Sequence, residues 1–180
     1  MAIKRIIKNV LTLIMHPIVT IHLKINGTKD LYIAPRMTIN SLSEVKIGCG
    51  VSIGRDSRFL IVKSYQGRNY SPLISIGDGT SIQNRFSALS AAPIVIDNDC
   101  LIASDVLITS ENHGVNPEQS DSYASTPLDA SPVHIGKGCW IGEKASIMPG
   151  VNLGERCIVA ANAVVTKSFP SYSMVGGGAS

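Results

Sequence analysis

From Ile135 to Pro170 the sequence repeats every six residues, reading IGKGCW, IGEKAS, IMPGVN, LGERCI, VAANAV and VTKSFP. The first place of each block is aliphatic throughout (Ile135, Ile141, Ile147, Leu153, Val159, Val165), and the fifth is mostly small (Cys139, Ala145, Val151, Cys157, Ala163), with Phe169 the exception. A period of six matches neither the 3.6 residues of a helix nor the two of a strand. It suits short strands joined by tight turns into a coil, three blocks to a turn, and a fixed period of this kind is the mark of a solenoid. Each strand then pairs with its counterpart one turn later at the ~4.8 Å spacing of neighbouring strands. That register predicts Ile135 under Leu153, Ile141 under Val159 and Ile147 under Val165, with the stacked aliphatic columns as the core and Gly136, Gly142 and Gly154 leaving room at the corners.

The same pattern extends backwards with less regularity. Ile33, Ile39 and Val45 are six apart, and good blocks begin at Ile47 (IGCGVS), Ile53 (IGRDSR), Ile76 (IGDGTS), Ile82 (IQNRFS), Ile96 (IDNDCL) and Ile102 (IASDVL). Two stretches break the count. Residues 63–72 (KSYQGRNYSP) and 111–132, which open with ENHGVNPEQS, are polar and rich in turn formers, so both are predicted to leave the coil at a corner as loops. Long loops in a compact repeat tend to carry function. The organisation predicted is a capping segment (1–30), a solenoid (31–176) and a short tail (177–180).

The chain has 180 residues, is 44% hydrophobic and carries a formal charge of +3, which fits one globular domain with ample core and no polyanion-binding signature. Nucleic acid is not expected as a partner. Cys100, Cys139 and Cys157 fall in the small fifth place of their blocks, so core packing is expected of them, a Cys139–Cys157 disulfide being the lesser reading, and the cysteine usage fits a reducing compartment. No secretory leader is expected, because no small-residue cleavage site follows the basic N-terminus and Pro17 interrupts the apolar stretch. No run is long enough to span a bilayer. A cytoplasmic protein is the expectation, at the inner face of the membrane if its N-terminus touches lipid.

Residues 2–15 read as an amphipathic helix, with Ile3, Ile6, Ile7, Val10, Leu11 and Ile14 at helical spacing and Lys4, Arg5 and Lys8 beside them. Two readings are open: the helix covers the exposed end of the solenoid with its apolar face, or that face meets a membrane surface.

Among the four histidines, His113 stands at the sixth place of a block, where the second insertion opens, and is expected to point outward at the edge of a cleft. An imidazole titrates near neutrality and can take up a proton there. Glu111 or Asn112 could orient its ring. His16 and His22 lie in the capping segment and His134 precedes Ile135, so structural or solvated roles are expected of all three. A zinc centre would need three converging histidines; only His113 and His134 follow Ile47, so no metal is expected.

The stretch TSENHGVNPE, followed after the insertion by PVHIGKGCWIGEKASIMPGV, resembles the sugar and galactoside O-acetyltransferases of the hexapeptide-repeat acyltransferase family. The resemblance covers about residues 47 to 176 and implies an all-β fold, the left-handed parallel β-helix, with a short N-terminal helix and two loop insertions. Ordinary parallel crossovers are right-handed, so the hand comes from the resemblance alone. It also implies His113 as general base, removing the proton from an acceptor hydroxyl whose oxygen attacks the thioester carbonyl of acetyl-CoA. No covalent enzyme intermediate is then needed, and backbone N–H groups would stabilise the oxyanion.

For the donor, the resemblance points to Trp140, Gly142, Glu143, Ala161, Thr166 and Lys167, the last offsetting phosphate charge. The block IVAANAVVTK departs from the family's IGAGSVVTK, with Ala160 and Asn162 where glycines are usual, which narrows the space for close backbone approach. For the acceptor it points to Gln83 and Asn84, while Ala91 and Ala92 stand where some galactoside enzymes carry an acidic residue, which favours a surface polysaccharide or its precursor over a free galactoside. A C3 homotrimer with sites at subunit boundaries is implied as well. An N-acetyltransferase of an amino-sugar nucleotide would use the same base and fold, and a non-enzymatic scaffold would need neither.

Overall fold

The computed structural model describes residues 2–114 and 122–176. Its strands form three faces, each parallel throughout, and the chain visits them in rotation. The first face stacks Tyr32–Ile33, Ser52–Ile53, Ser81–Ile82, Leu101–Ile102, Trp140–Ile141, Ile158–Val159 and Met174–Val175. The second stacks Thr38–Ile39, Arg58–Ile61, Ser87–Ser90, Leu107–Thr109, Ser146–Ile147 and Val164–Val165. The third stacks Val45–Ile47, Leu73–Ile76, Pro93–Ile96, Val133–Ile135 and Asn152–Leu153, and a bridge from Leu153 to Phe169 continues it. The architecture is the left-handed parallel β-helix that the repeat and the resemblance anticipate.

The expected register is the observed one: Ile135 pairs with Leu153, Ile141 with Val159 and Ile147 with Val165. Along the first face, stacked partners are 20 residues apart from Ile33 to Ile53, 29 to Ile82, 20 to Ile102, 39 to Ile141, 18 to Val159 and 16 to Val175. The two long intervals contain the two insertions.

The core is the stack of inward side chains, with Ile33, Ile53, Ile102, Ile108, Ile135, Ile141, Ile147 and Leu153 all fully buried. Each such side chain contributes about 1.5–3 kcal/mol on leaving water. Two departures from the block pattern compensate each other, a small Ala88 in the first place and a large Phe86 in the fifth. Phe59 on the second face stacks under Ala88, and the volume that alanine leaves is met by Phe86 at the preceding corner, its ring edge-on to Phe59 at 5.9 Å. The four cysteines are free thiols. Cys139 Sγ donates to the Gly154 carbonyl at 3.1 Å and Cys157 Sγ to that of Pro170 at 3.1 Å, each reaching the next coil. Burial pushes the Cys139 thiol up to about 12, so it is no thiolate at neutral pH.

The N-terminal segment holds two helices, α1 (Ala2–Met15) and α2 (Pro17–Ile25), rather than one. Pro17 does not end the helical region. It opens α2 at the first position, where its missing N–H costs nothing. The helices close the first coil with polar groups: Thr12 Oγ1 accepts from the Ile33 N–H at 3.1 Å, His16 Nε2 lies 2.9 Å from the Ala34 carbonyl, and Thr28 Oγ1 donates to Ile47. Thr12, Thr20 and Leu23 are buried, whereas Ile6, Ile7, Val10, Leu11 and Ile14 are exposed. The reading in which α1 turns its apolar face onto the coil is therefore corrected. The free edge of the first coil needs hydrogen-bond partners, and the polar side of α1 supplies them.

Both insertions leave at the same corner, between the second and third faces. The first, expected to be a loop, is a hairpin of Ser64–Tyr65 with Arg68–Asn69, turned by Gln66 (φ 46) and Gly67 (φ 75). Positive φ at both central residues is the turn geometry that matches strand twist. The second is an arm whose stem pairs Glu111–His113 antiparallel with Leu128–Ala130, followed inward by a short 3₁₀ turn at Tyr123–Ser125.

Candidate active site

The stem of the second arm is rooted in the corner. Thr109 Oγ1 donates to the Glu111 carbonyl at 2.8 Å, and the fully buried Ser110 hydroxyl donates to Ala92 O at 2.7 Å while accepting from the N–H groups of Ala91 and Ala92. Ala91 and Ala92 therefore belong to the root of the arm. His113, opposite Leu128, sits on this stem and is exposed. The antiparallel pairing that starts at Glu111 lifts it off the coil onto the arm.

The first insertion holds the second. Tyr65 Oη donates to the Ala124 carbonyl at 2.6 Å, joined there by Gln66 Nε2 at 3.0 Å, and Tyr70 Oη accepts from the Leu128 N–H at 2.6 Å and donates to the Leu128 carbonyl at 3.1 Å. The Tyr65 ring meets the His113 imidazole edge-to-face, centroids 5.4 Å apart. The hairpin thus reaches across the uninterrupted Ser87–Ser90 coil and sets the environment of His113. Sequence reasoning passed over Tyr65, Gln66 and Tyr70; two tyrosines in an otherwise polar insertion were the signal available.

The remaining site residues fall into two groups. Thr166 and Lys167, both exposed, follow the last strand of the second face and so share the corner with His113; Lys167 Nζ lies 5.9 Å from the centre of the Phe169 ring. Trp140 projects from the first face, 50% exposed. Gly142, Glu143 and Ala161 form the next corner, between the first and second faces, where Asn162 N–H donates to the Glu143 carbonyl at 2.8 Å. A Cβ on Gly142 would come within 2.6 Å of the Ala161 nitrogen, so this glycine is set by coil stacking. Asn162 has φ 60, a conformation asparagine adopts more readily than most residues, so it substitutes for the family's glycine at that turn. Gln83 and Asn84 lie on that same corner, two coils from Gly142 and three from Ala161, and line a groove of about 470 Å³ with Tyr32, Pro35 and Arg55. Asn84 Oδ1 is already engaged, accepting from the Arg55 N–H at 3.1 Å. Within one chain the two groups occupy different corners.

Two of the other three histidines are tied into the scaffold. His134 is held between Asp97 Oδ2 at 2.9 Å and Asn152 Oδ1 at 3.0 Å, on three successive coils, and His16 completes the cap described above.

The family described as bacterial transferase hexapeptide (six repeats) matches residues 132–167. The putative lipopolysaccharide biosynthesis O-acetyl transferase WbbJ of Escherichia coli (strain K12) is 33% identical over 112 residues, covering 58% of this chain and 57% of its own length. The chain spans little more than half the length of the curated relatives it matches. Among solved structures, AntD, an N-acyltransferase from Bacillus cereus in complex with dTDP and 3-hydroxybutyryl-CoA, superposes with a TM-score of 0.68 at 20% identity, covering 86% of this chain and 81% of that one. A galactoside acetyltransferase in complex with coenzyme A gives 0.58 at 19% identity, covering 82% and 58%. At such identities the likeness is one of fold. Over residues 132–167 the six-residue repeat is similar to that of the hexapeptide transferases, and the stacked register is the fold these structures share.

Proposed function

We propose that the protein is an acetyl-CoA-dependent O-acetyltransferase of a sugar hydroxyl, in a surface polysaccharide or its precursor, with His113 as general base. The observation that carries this reading is an exposed imidazole on a braced arm beside the corner that bears Thr166 and Lys167. His113 takes the proton of the acceptor hydroxyl as its oxygen attacks the thioester carbonyl; the new C–O ester bond forms, the C–S bond breaks, and the proton passes to the departing thiolate of CoA. No enzyme nucleophile takes part in this scheme, and burial raises the thiols of Cys100 and Cys139 above their ordinary value.

The donor would lie along the uninterrupted coils, against Trp140, Gly142, Glu143, Ala161, Thr166 and Lys167, and the acceptor near Gln83 and Asn84. These residues are divided between two corners of one prism, so a homotrimer in which one copy's first corner faces the next copy's second would close three equivalent sites. Head-to-tail contacts of this kind close into a ring when the rotation permits. The likeness to WbbJ, named for lipopolysaccharide biosynthesis, favours a polysaccharide acceptor. The closer fold match to AntD, an N-acyltransferase, favours a second reading, transfer to the amine of a sugar nucleotide.

The test is release of CoA thiol from acetyl-CoA over a panel of sugar acceptors. Activity on a hydroxyl acceptor, lost in His113→Ala, supports the proposal; unchanged turnover in that variant refutes the mechanism. An ester product is cleaved by mild base, whereas an amide survives and would establish the second reading.

A further inference from the structure

We propose that α1 and α2 together form a docking surface for an anionic lipid bilayer, on which the β-helix stands by its first coil. Toward that coil the segment turns Thr12, His16 and Thr28, which bond Ile33, Ala34 and Ile47, with Leu23 buried in the core and Thr20 donating to the Thr12 carbonyl between the helices. Outward the helices present a broad apolar set, Ile6, Ile7, Val10, Leu11 and Ile14 on α1 at 43–70% exposed and Ile18 and Ile21 on α2 at 75% and 52%, together with the exposed Lys24. The patch therefore runs across both helices and covers the end of the solenoid, whereas isolated exposed apolar residues would need no explanation.

Charge selects the occupant. Residues 1–29 contain Lys4, Arg5, Lys8, Lys24 and Lys29 and no Asp or Glu, the first acidic residue being Asp30. Of 16 basic and 13 acidic residues in the chain, the other 11 basic residues are outnumbered by all 13 acids, so the net positive charge resides in this segment. Two such faces brought together in a dimer would confront like charges. An anionic bilayer neutralises them and takes up the apolar side chains, which is how interfacial amphipathic helices bind. No described helix is long and apolar enough to cross a membrane, and α1, about 21 Å long, would lie in the interfacial plane. The second arm leaves the fourth coil, so His113 would stand roughly 15 Å above the first coil at the ordinary strand spacing, within reach of a sugar tethered to the same membrane. That last consequence rests on the proposed role of His113; the docking itself does not.

The experiment is co-sedimentation of the full chain with vesicles of phosphatidylcholine, with and without phosphatidylglycerol. Binding is expected to the anionic vesicles, roughly tenfold or more weaker on neutral ones and weakened by salt. Ile14→Glu with Ile18→Glu, at two of the most exposed positions, should lower vesicle binding at least about tenfold while leaving the far-ultraviolet spectrum and thiol release with a free acceptor unchanged. A second variant, Lys4→Gln with Arg5→Gln and Lys8→Gln, should lose about fivefold per charge. Equal binding to both vesicle types, or none to the anionic ones, overturns the proposal. So does a change in native mass, rather than in vesicle binding, for the Ile14→Glu/Ile18→Glu protein, which would make the patch a contact between copies. If thiol release fails while vesicle binding holds, the transfer chemistry falls and the docking surface stands.

Discussion

The coils from Val133 to Phe169 and those from Ile61 to Val133 are built on the same columns, yet only the latter interrupt them. In the first region strand follows strand at 18 residues, and cysteine, alanine and valine fill the corners. In the second, two arms leave one corner and grip each other through Tyr65, Gln66 and Tyr70. The uninterrupted region is a wall whose outer residues are fixed by stacking. The interrupted region presents a residue, His113, that the repeat alone could not hold away from the coil.

Substitutions can separate these two roles. The largest effect is expected of His113→Ala, which should lower thiol release by about 10²–10⁴-fold with the melting temperature unmoved, because the side chain is exposed and outside the core. Ile141→Ala should do the opposite. Removing a fully buried side chain stacked between Ile102 and Val159 should cost about 2–5 kcal/mol in denaturant unfolding, and the whole solenoid should respond because each coil leans on its neighbours. Tyr70→Phe tests the brace. Losing the hydroxyl strips the Leu128 N–H and carbonyl of their partner, at about 1–3 kcal/mol locally; amide exchange should rise at 128–130 and turnover should fall, while the KM for acetyl-CoA stays put.

The smallest effect is a pH dependence. Lys63 first, then Ser41 and Ser43, hold the Glu44 carboxyl down to about 2 from its ordinary 4.5. A depressed acid stabilises the fold above its unfolded pKa, so this contribution is complete above pH 4.5 and is lost as pH falls toward about 2. Lys63→Met should shift acid unfolding slightly upward in pH, read by fluorescence, since the lysine is half exposed and the pair is screened.

Most of the prism was legible because periodicity is local: the pairing of Ile135 with Leu153 follows from six-residue blocks alone. The capping segment was read in part. Helical spacing reveals an apolar face without saying what meets it, and Pro17, which reads as a breaker, serves equally as a starter. The resemblance pointed to His113, but its setting depends on Tyr65 and on a bond between residues 59 apart in sequence, Tyr65 and Ala124, which no local pattern encodes. Nor could the division of Glu143 and Lys167 between two corners be seen before the blocks were wound into faces.

The unequal spacing of stacked partners, from 16 to 39 residues, leaves every column in register. A corner that absorbs such differences is a graft site. Closing a segment of twice the length adds only about 0.6 kcal/mol, so an arm can be exchanged for another of different size and chemistry without redrawing the prism. Under the proposed function, acceptor preference would then diversify by cassette, while the columns that would line the donor stay fixed.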